Sequence, residues 1–305
     1  MPEFIRDLDD DLIEKLQHEQ LFQEHLLGDI RSGEVFPAIR NNRVDFYYGG
    51  GKLFAYTTEG FVTHIKYAAV FEGEKNYVKE SDLPNLKHID CFASRYDRIK
   101  ENCARYAGRE AQGVSSTFGA FGSFVRGEDP RIIPLDIEIS FSAEKADADA
   151  EPFEADSSIR TTDRIDILFY DTEKRVLRFC EAKHFTNSEL WAPAGKNPKV
   201  VGQLDRYKKQ IQKQIQKKNC PLFTVYATYV KLLNQLLCTC LPAPEIDESI
   251  LLFLLIFGFD AAKLNGKLKT QLLKDGSLKD HYYYAIGDIT GIKLENMWKC
   301  TKKGK

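Results

Sequence analysis

The sequence has little that would mark an exported or membrane-spanning protein. Its acidic first twelve residues, MPEFIRDLDDDL, do not combine the basic segment and the apolar stretch of a secretory signal. The longest apolar run, residues 250–259, is about half of the roughly 20 residues that a membrane-spanning helix needs. These two absences predict a cytoplasmic protein without a membrane partner.

Zinc-binding cysteine patterns are also missing. The seven cysteines are an odd number, and neither Cys238 nor Cys240 has a CxxC or histidine partner at zinc-finger spacing. The cysteines therefore do not indicate a disulfide framework or a structural zinc site, and we expect reduced, mostly buried thiols.

The chain has no excess of charge of either sign. Its 43 basic and 45 acidic residues give a net charge of −2, so any nucleic-acid partner would have to bind to a local basic patch. A hydrophobic content of 43% excludes a mainly disordered chain. The length of 305 residues allows one large domain or two modest ones.

Residues 1–90 are predicted to form a helix followed by a β-rich accessory or recognition domain. Apolar residues at helical spacing occupy the first thirty positions, and short aromatic and β-branched runs between 35 and 67 predict a meander of hairpins. The stretch from Gly49 to Lys52 is followed by Leu53 where a phosphate-binding loop needs Ser or Thr, so we interpret it as a hairpin turn.

Residues 91–305 are predicted to form a second, α/β domain. Its expected core, about 95–230, has the order α-β-β-β-α-β, with an acidic surface loop inserted at 142–162. Residues 231–305 would form a sheet and helix extension that either extends the sheet or covers it. The predicted helices are 95–112, 198–218 and 261–273, and the predicted strands are 132–141, 164–171, 175–183, 222–229, 250–257 and 281–289.

The most informative segment is TTDRIDILFYDTEKRVLRFCEAKHF, in which a turn near 171–175 separates two strands. If the loop has an even number of residues, paired residue numbers sum to 347 and Asp166 lies opposite Glu181, at a Cβ separation of roughly 5 Å. Lys183 would then share that face because side chains alternate along a strand. A loop of odd length would put Asp166 and Glu181 on opposite faces.

Apolar residues surround this triplet on both faces of the predicted hairpin, which is typical of central strands. Carboxylates are costly there unless they are paired or bound to a metal. Magnesium, which takes one or two protein carboxylates and retains several waters, fits Asp166 and Glu181. The alternative is a structural ion-pair cluster of these two residues with Lys183.

Ile165-Asp166 followed by Glu181-Ala182-Lys183 resembles the signature of the PD-(D/E)XK nuclease superfamily, with Ile165 where the motif has proline. The resemblance covers about residues 95–230. It implies a restriction-endonuclease-like core, a mixed central sheet flanked by helices, in which Asp166 and Glu181 bind Mg²⁺, which Mn²⁺ can replace. Lys183 would activate the attacking water and stabilise charge on the phosphate.

A second resemblance lies in the helix predicted after this motif. Gln203 and Tyr207 are four residues apart on one helix face, similar to the QxxxY spacing of RecB-family nucleases, where these residues support the active site and contact DNA. The alternative is a packed tyrosine beside an exposed glutamine. Lys208 and the lysines that follow it form either a phosphate-binding rim or a solvated helix face.

The family also implies a further acidic residue from the first core helix. Glu110 is the candidate because helical spacing places it on one face with Ile99, Cys103 and Tyr106, although it could equally be a surface glutamate. On the preceding strand, Glu138 is the reserve candidate for a third metal ligand. Asp136, two residues earlier, is the other possible third ligand, and either residue could instead face solvent.

These patterns together predict a magnesium-dependent nuclease. The family resemblance favours DNA as substrate and leaves RNA open, and bacterial defence, including phage defence, or DNA repair would suit the two-part organisation. A homodimer would be required for double-strand cleavage with one site per chain. The alternative is a catalytically silent module that binds nucleic acid, or that binds a protein partner through the N-terminal domain.

Overall fold

A computed structural model describes residues 4–69, 76–85, 91–141, 164–193, 195–217, 221–245, 252–273 and 276–302. This part of the chain is mixed α/β with two β-sheets. It forms two compact units, the first from Met1–Pro130 and Thr224–Ala243 and the second from Arg131–Phe141, Asp163–Phe223 and Pro244–Lys305. The first unit thus continues past residue 90, where the sequence placed a boundary. The acidic insertion predicted at 142–162 lies outside the described residues.

The first unit begins with the predicted helix and hairpin meander. A helix is present in three pieces, α1 (Asp10–His18), a π-helical turn (Phe22–Leu26) and α2 (Leu27–Ser32). It leads into an antiparallel sheet with strands in chain order: β1 (Val35–Arg40), β2 (Arg43–Tyr48), β3 (Gly51–Thr57), β4 (Gly60–His64) and β5 (Tyr77–Lys79). Gly49 and Gly50 join β2 to β3 with φ of +56° and +94°, so this glycine stretch is the expected hairpin turn.

Short helices complete the first unit within the described residues. They are α3 (Ile65–Ala68), the 3₁₀ turns Glu80–Asn85 and Ala93–Arg95, α4 (Tyr96–Tyr106), α5 (Arg109–Ser115) and α6 (Phe118–Val125).

The prediction of one continuous helix over 95–112 is wrong. The chain leaves the helical conformation at Ala107, where φ is −76° and ψ is 141°, and a new helix starts after Gly108. Ile99 and Cys103 are buried, whereas Tyr106 is 59% exposed. Because the helix ends there, the single face expected to carry Glu110 does not exist.

The predicted strand at 222–229 is also wrong. Residues Pro221–Leu237 form a 17-residue helix, in which Tyr226, Tyr229, Leu233 and Leu236 are buried. Their spacing of three and four residues is helical. The aromatic and β-branched residues at the start of the segment favour a strand locally. The helical spacing of apolar residues, however, continues over more residues than a strand usually has.

The second unit is built on a mixed six-stranded sheet in the order β11-β10-β9-β8-β7-β6. Strands β6, β7 and β8 pair antiparallel. Strand β9 pairs with β8 and β10 pairs with β9 in parallel, and β11 pairs antiparallel with β10. The strands are β6 (Ile132–Ser140), β7 (Arg164–Asp171), β8 (Val176–His184), β9 (Leu252–Phe257), β10 (Tyr282–Ile286) and β11 (Thr301–Lys302).

Helices connect these strands. They are a 3₁₀ turn (Ser188–Leu190), α7 (Lys199–Ile215), α8 (Pro221–Leu237), α9 (Ala261–Lys263) with a π-helical continuation (Leu264–Leu273), and α10 (Leu294–Met297). Most of α8 belongs to the first unit, which includes Thr224–Ala243. All six residues of β9 are buried, as expected for a parallel strand covered on both faces. Within the described residues, no helix is long and apolar enough to cross a bilayer.

A close backbone contact in the first unit provides a test of its packing. A Cβ atom added at Gly122 in α6 would lie 2.6 Å from the Cα atom of Gly33, whereas one added at Gly119 in the same helix would meet no atom within 4 Å. The glycine at position 122 is therefore required for the helix to approach this turn.

We predict that Gly122→Ala lowers the free energy of unfolding by more than 1 kcal/mol, through overpacking that costs about 1–3 kcal/mol. Gly119→Ala is the matched control, because the same change at an open helical position stabilises by roughly 0.5–1 kcal/mol. Urea unfolding of both variants measures the difference. Equal stabilities would contradict the close contact.

Candidate active site

The hairpin between β7 and β8 has the register expected from the sequence. Asp171 pairs with Val176 and Ile167 pairs with Cys180, so paired residue numbers sum to 347. The backbone N–H of Arg175 donates to the Asp171 carbonyl across 2.7 Å and closes a loop of four residues. The even loop length puts residues 166, 181 and 183 on one face of the two strands.

The first carboxylate of the site contacts the backbone of the second strand. Beyond the Ile167–Cys180 pair, Oδ2 of Asp166 accepts a hydrogen bond of 2.6 Å from the N–H of Ala182. Ala182 lies between Glu181 and Lys183, and its own side chain is buried. The Asp166 carboxylate is thereby fixed beside both charged residues.

Lys183 connects two carboxylates. Its Nζ lies 2.8 Å from Oε1 of Glu181 and 2.9 Å from Oε2 of Glu189. Glu181 and Lys183 are 1% and 6% exposed, and Glu189 is 39% exposed at its side chain. A buried ammonium held by two carboxylates has little freedom to change its position.

Glu189 was not predicted from the sequence. It lies in the 3₁₀ turn after β8, where its N–H donates to the Asn187 side chain across 2.7 Å and the neighbouring Leu190 is fully buried. Asn187 is a recognisable cap for this turn. The sequence nevertheless contains no pattern that shows the turn folding back toward Lys183.

Glu138 lies near Asp166 on the neighbouring strand. Its flanking residues Ile137 and Ile139 pair with Ile167 and Ile165, the two neighbours of Asp166. Glu138 has φ of +51°, a left-handed conformation that costs a non-glycine residue of order 1–3 kcal/mol and is concentrated at functional sites. This position supports its candidacy as a further acidic residue.

Asp136 differs from Glu138 in its surroundings. It is fully buried, and its Oδ1 accepts the N–H of Ile137 across 2.8 Å. The proposal that Asp136 faces solvent is therefore wrong, because a bulge in β6 between Pro134 and Asp136 interrupts the simple alternation of faces.

The carboxylates make the region around Asp166 strongly negative. Burial raises the pKa of Asp166 well above its ordinary value, and the charges of Glu181 and Glu138 raise it further, against the opposing effect of Lys183 and the Ala182 N–H. Burial works against the charge of Lys183, but Glu181, Asp166 and Glu189 together outweigh it and raise the pKa of this ammonium. Asp166 therefore favours either a bound proton or a nearby cation.

Mg²⁺ at this position stays a prediction. Among the described residues, no three or more His, Cys, Asp or Glu side chains form a group that could hold a metal ion. Mg²⁺ is commonly bound through one or two carboxylates, with water and substrate phosphate completing its octahedron. Asp166 and Glu181 are the two carboxylates that the sequence assigns to such an ion, and burial raises the pKa of Asp166.

Helix α7 supports the start of β7. Gln203 Nε2 donates to the Tyr207 hydroxyl across 2.9 Å, and this hydroxyl donates to the Arg164 carbonyl across 2.5 Å. Tyr207 is fully buried. The tyrosine thus fixes the backbone two residues before Asp166, while Lys208 on the same helix is exposed.

Glu110 is placed on a different element from the one predicted. It lies in the short helix α5 of the first unit, whereas the Asp166 cluster belongs to the second unit. Its catalytic role stays a prediction from the family resemblance.

Comparisons with family models, with curated proteins and with solved structures find no match to this chain. The interpretation of the site therefore depends on its own geometry. Its defining features are the Asp166–Ala182 contact, the Glu181–Lys183–Glu189 ion pairs and the Tyr207 hydrogen bond.

We predict that Asp166→Asn becomes increasingly more stable than the wild type as the pH rises, in buffer with EDTA. A raised pKa means that the native wild type binds more protons than the unfolded chain, so its free energy of unfolding falls as pH rises from the unfolded value of about 4 toward the raised native value. Asparagine does not titrate and can still accept the Ala182 N–H. Urea unfolding at pH 5, 6.5 and 8 should show the difference growing by about 1–3 kcal/mol, and a difference independent of pH would refute the assignment.

We predict that Tyr207→Phe lowers the free energy of unfolding by about 0.5–1.5 kcal/mol, because it removes the hydrogen bond that the buried Tyr207 hydroxyl donates to the Arg164 carbonyl. Tyr284→Phe is the control, since Tyr284 is a half-buried tyrosine in β10 of the same unit. Thermal unfolding of both variants measures the effect. A Tyr207 variant as stable as its control would show that this hydrogen bond contributes nothing.

Proposed function

We propose that this protein is a magnesium-dependent nuclease that hydrolyses phosphodiester bonds. The observation that carries the proposal is the contact of the Asp166 carboxylate with the backbone N–H of Ala182, which brings the aspartate to the Glu-Ala-Lys segment. Two carboxylates and one lysine in this arrangement can serve a cation, a phosphate and an attacking water together.

The sheet of the second unit supports a restriction-endonuclease-like core. An antiparallel β6–β7–β8 meander carries the motif, and a helical crossover leads to β9, which pairs with β8 in parallel. This crossover contains α7 and α8, whereas the sequence predicted one helix and then a strand. The PD-(D/E)XK resemblance thus agrees with the strand order around the motif.

Each side chain has a defined task in the proposed reaction. Asp166 and Glu181 would hold Mg²⁺ or Mn²⁺, which supplies a bound water of lowered pKa and neutralises charge developing on the phosphate. Lys183, kept protonated by Glu181 and Glu189, would direct its ammonium to the phosphate oxygens and the attacking water. Direct attack by water needs no covalent enzyme intermediate.

The substrate and the biological setting are further parts of this proposal. The family resemblance favours DNA over RNA, with Gln203 and Lys208 of α7 at the substrate and Glu110 or Glu138 as additional acidic residues. Tyr207 is buried, so its part would be to support the start of β7 and not to contact the substrate. The proposal extends to a cytoplasmic location and to a role in phage defence or DNA repair. It also allows a protein partner at the five-stranded sheet and a homodimer.

The second candidate is a catalytically silent nucleic-acid-binding module. It is favoured by one observation: Lys183 is already paired with both Glu181 and Glu189, as in a structural ion-pair cluster. Metal dependence separates the two candidates, because a purely structural cluster needs no cation.

We predict that the protein cleaves nucleic acid with Mg²⁺ or Mn²⁺ and not with EDTA. Asp166→Asn, Glu181→Gln and Lys183→Met should each reduce the rate at least about 100-fold, the usual cost of losing one group that stabilises the transition state. Linear and circular DNA, single- and double-stranded, and RNA would be tested on gels. Cleavage of the circular substrate would identify an endonuclease.

Two exposed residues of the β7–β8 turn give matched controls. Glu173→Gln and Lys174→Met make the same changes as Glu181→Gln and Lys183→Met, but at exposed positions. Both controls should retain the wild-type cleavage rate. Mg²⁺ should also raise the melting temperature of the wild type more than that of Asp166→Asn. Cleavage that survives in all three site variants would exclude this active site, and a wild type that binds DNA without cutting it would favour the silent module.

A further inference from the structure

An aromatic surface lies on the segment that follows Lys183. Trp191 is partly exposed, and its ring contacts Phe185 edge-on at a centroid distance of 5.0 Å. The indole N–H donates to the Phe185 carbonyl across 3.1 Å, and Phe185 in turn lies 6.3 Å from the ring of Phe259. Trp191 is therefore held by its edge with a fixed ring orientation.

Lysines of the helical segment after β9 lie over these rings. Nζ of Lys267 is 4.1 Å from the centroid of Trp191, and Nζ of Lys263 is 5.9 Å from that of Phe185. Both lysines are exposed. The Trp191 ring face is thus covered by the ammonium of an exposed lysine, which a flat ligand can displace at small cost because an exposed cation–π contact is weak.

This surface lies two residues beyond Glu189, which forms an ion pair with Lys183 of the proposed active site. The same short segment carries Lys183, Glu189 and Trp191, and three contacts fix its course. Phe185 donates its N–H to the Phe257 carbonyl across 2.7 Å, Trp191 donates its N–H to Ser188, and Leu190 is fully buried. A strand bound at the Lys183 cluster would meet Trp191 within a few nucleotides.

We propose that Trp191, with Lys263 and Lys267, forms a stacking platform for a single-stranded segment of the nucleic-acid substrate. An aromatic face bordered by lysines is the combination that binds single strands, because every base has a π-face and every linkage a phosphate. When a base stacks on Trp191, the ammonium of Lys267 is released toward the backbone phosphate. This inference rests on the proposed nuclease function for its substrate class.

The two tryptophans of the chain make the platform directly measurable. Trp298 is only 8% exposed and lies under the Arg178 guanidinium. Trp298→Phe therefore leaves Trp191 as the only source of tryptophan fluorescence. Titration of this variant with oligodeoxythymidine in EDTA should quench its fluorescence strongly. An equal concentration of blunt duplex should quench it little, since paired bases cannot stack on a side chain.

The affinity of a fluorescein-labelled oligodeoxythymidine, measured by anisotropy in EDTA, gives an independent readout. Trp191→Ala should weaken binding about tenfold, the loss of one stacked base, while the more conservative Trp191→Tyr should retain most of the affinity. Lys267→Gln should reduce the slope of log affinity against log salt by about 0.7, the value for one single-strand phosphate contact.

The outcomes separate this proposal from the nuclease function. Because the assays contain no metal, a protein that fails to cleave but shows quenching of Trp191 would refute the nuclease and retain the platform. Cleavage by the wild type, together with an oligonucleotide affinity that is unchanged in Trp191→Ala, would support the nuclease and refute the platform. Absence of oligonucleotide binding, bound oligonucleotide without quenching, or equal quenching by duplex would each overturn the platform.

Discussion

The hydrogen bond from the Ala182 N–H to Asp166 is the constraint on which the site depends. It fixes a half-buried carboxylate against the backbone of the strand that bears Glu181, so two negative side chains share a poorly solvated face. Such an arrangement is unfavourable by itself, because burial and like charge both oppose ionisation. The positive charge of Lys183 compensates part of this cost. Because Lys183 also pairs with Glu189, it does not fully neutralise Asp166 and Glu181. The excess negative charge gives the site its affinity for a proton or a cation.

The surrounding structure keeps this arrangement in place through main-chain contacts. Tyr207 donates to the Arg164 carbonyl at the start of β7, and the four-residue loop after Asp171 sets the register at the other end. A shift of one residue in that register would place Asp166 and Glu181 on opposite faces. The fold thus determines the chemistry through strand register, more than through any single side-chain contact.

Local patterns predicted this part of the protein well. Alternation with period two and an even loop length were enough to place Asp166, Glu181 and Lys183 on one face, and the glycines at 49 and 50 marked their turn correctly. The errors occurred where tertiary context overrides local preference. Residues 222–229 have strand-like composition but continue a helix to Leu237, and the partner of β8 comes from 252–257, far along the chain. Glu189 and Trp191 could not be predicted because only the folding back of a turn brings them to the site.

The raised pKa of Asp166 also determines how a metal would bind. A proton and a divalent cation compete for the same carboxylate, so a group with a raised pKa binds metal more strongly as pH increases. The competing Lys183 ammonium cannot leave the site, since Glu181 and Glu189 hold it and raise its own pKa. Any cation must therefore enter a site that already contains one positive charge, which favours an ion that is neutralised further by substrate phosphate. In the proposed nuclease, this arrangement would couple metal affinity to the presence of a nucleic-acid backbone, and the proposed stacking surface at Trp191 would bind that backbone nearby.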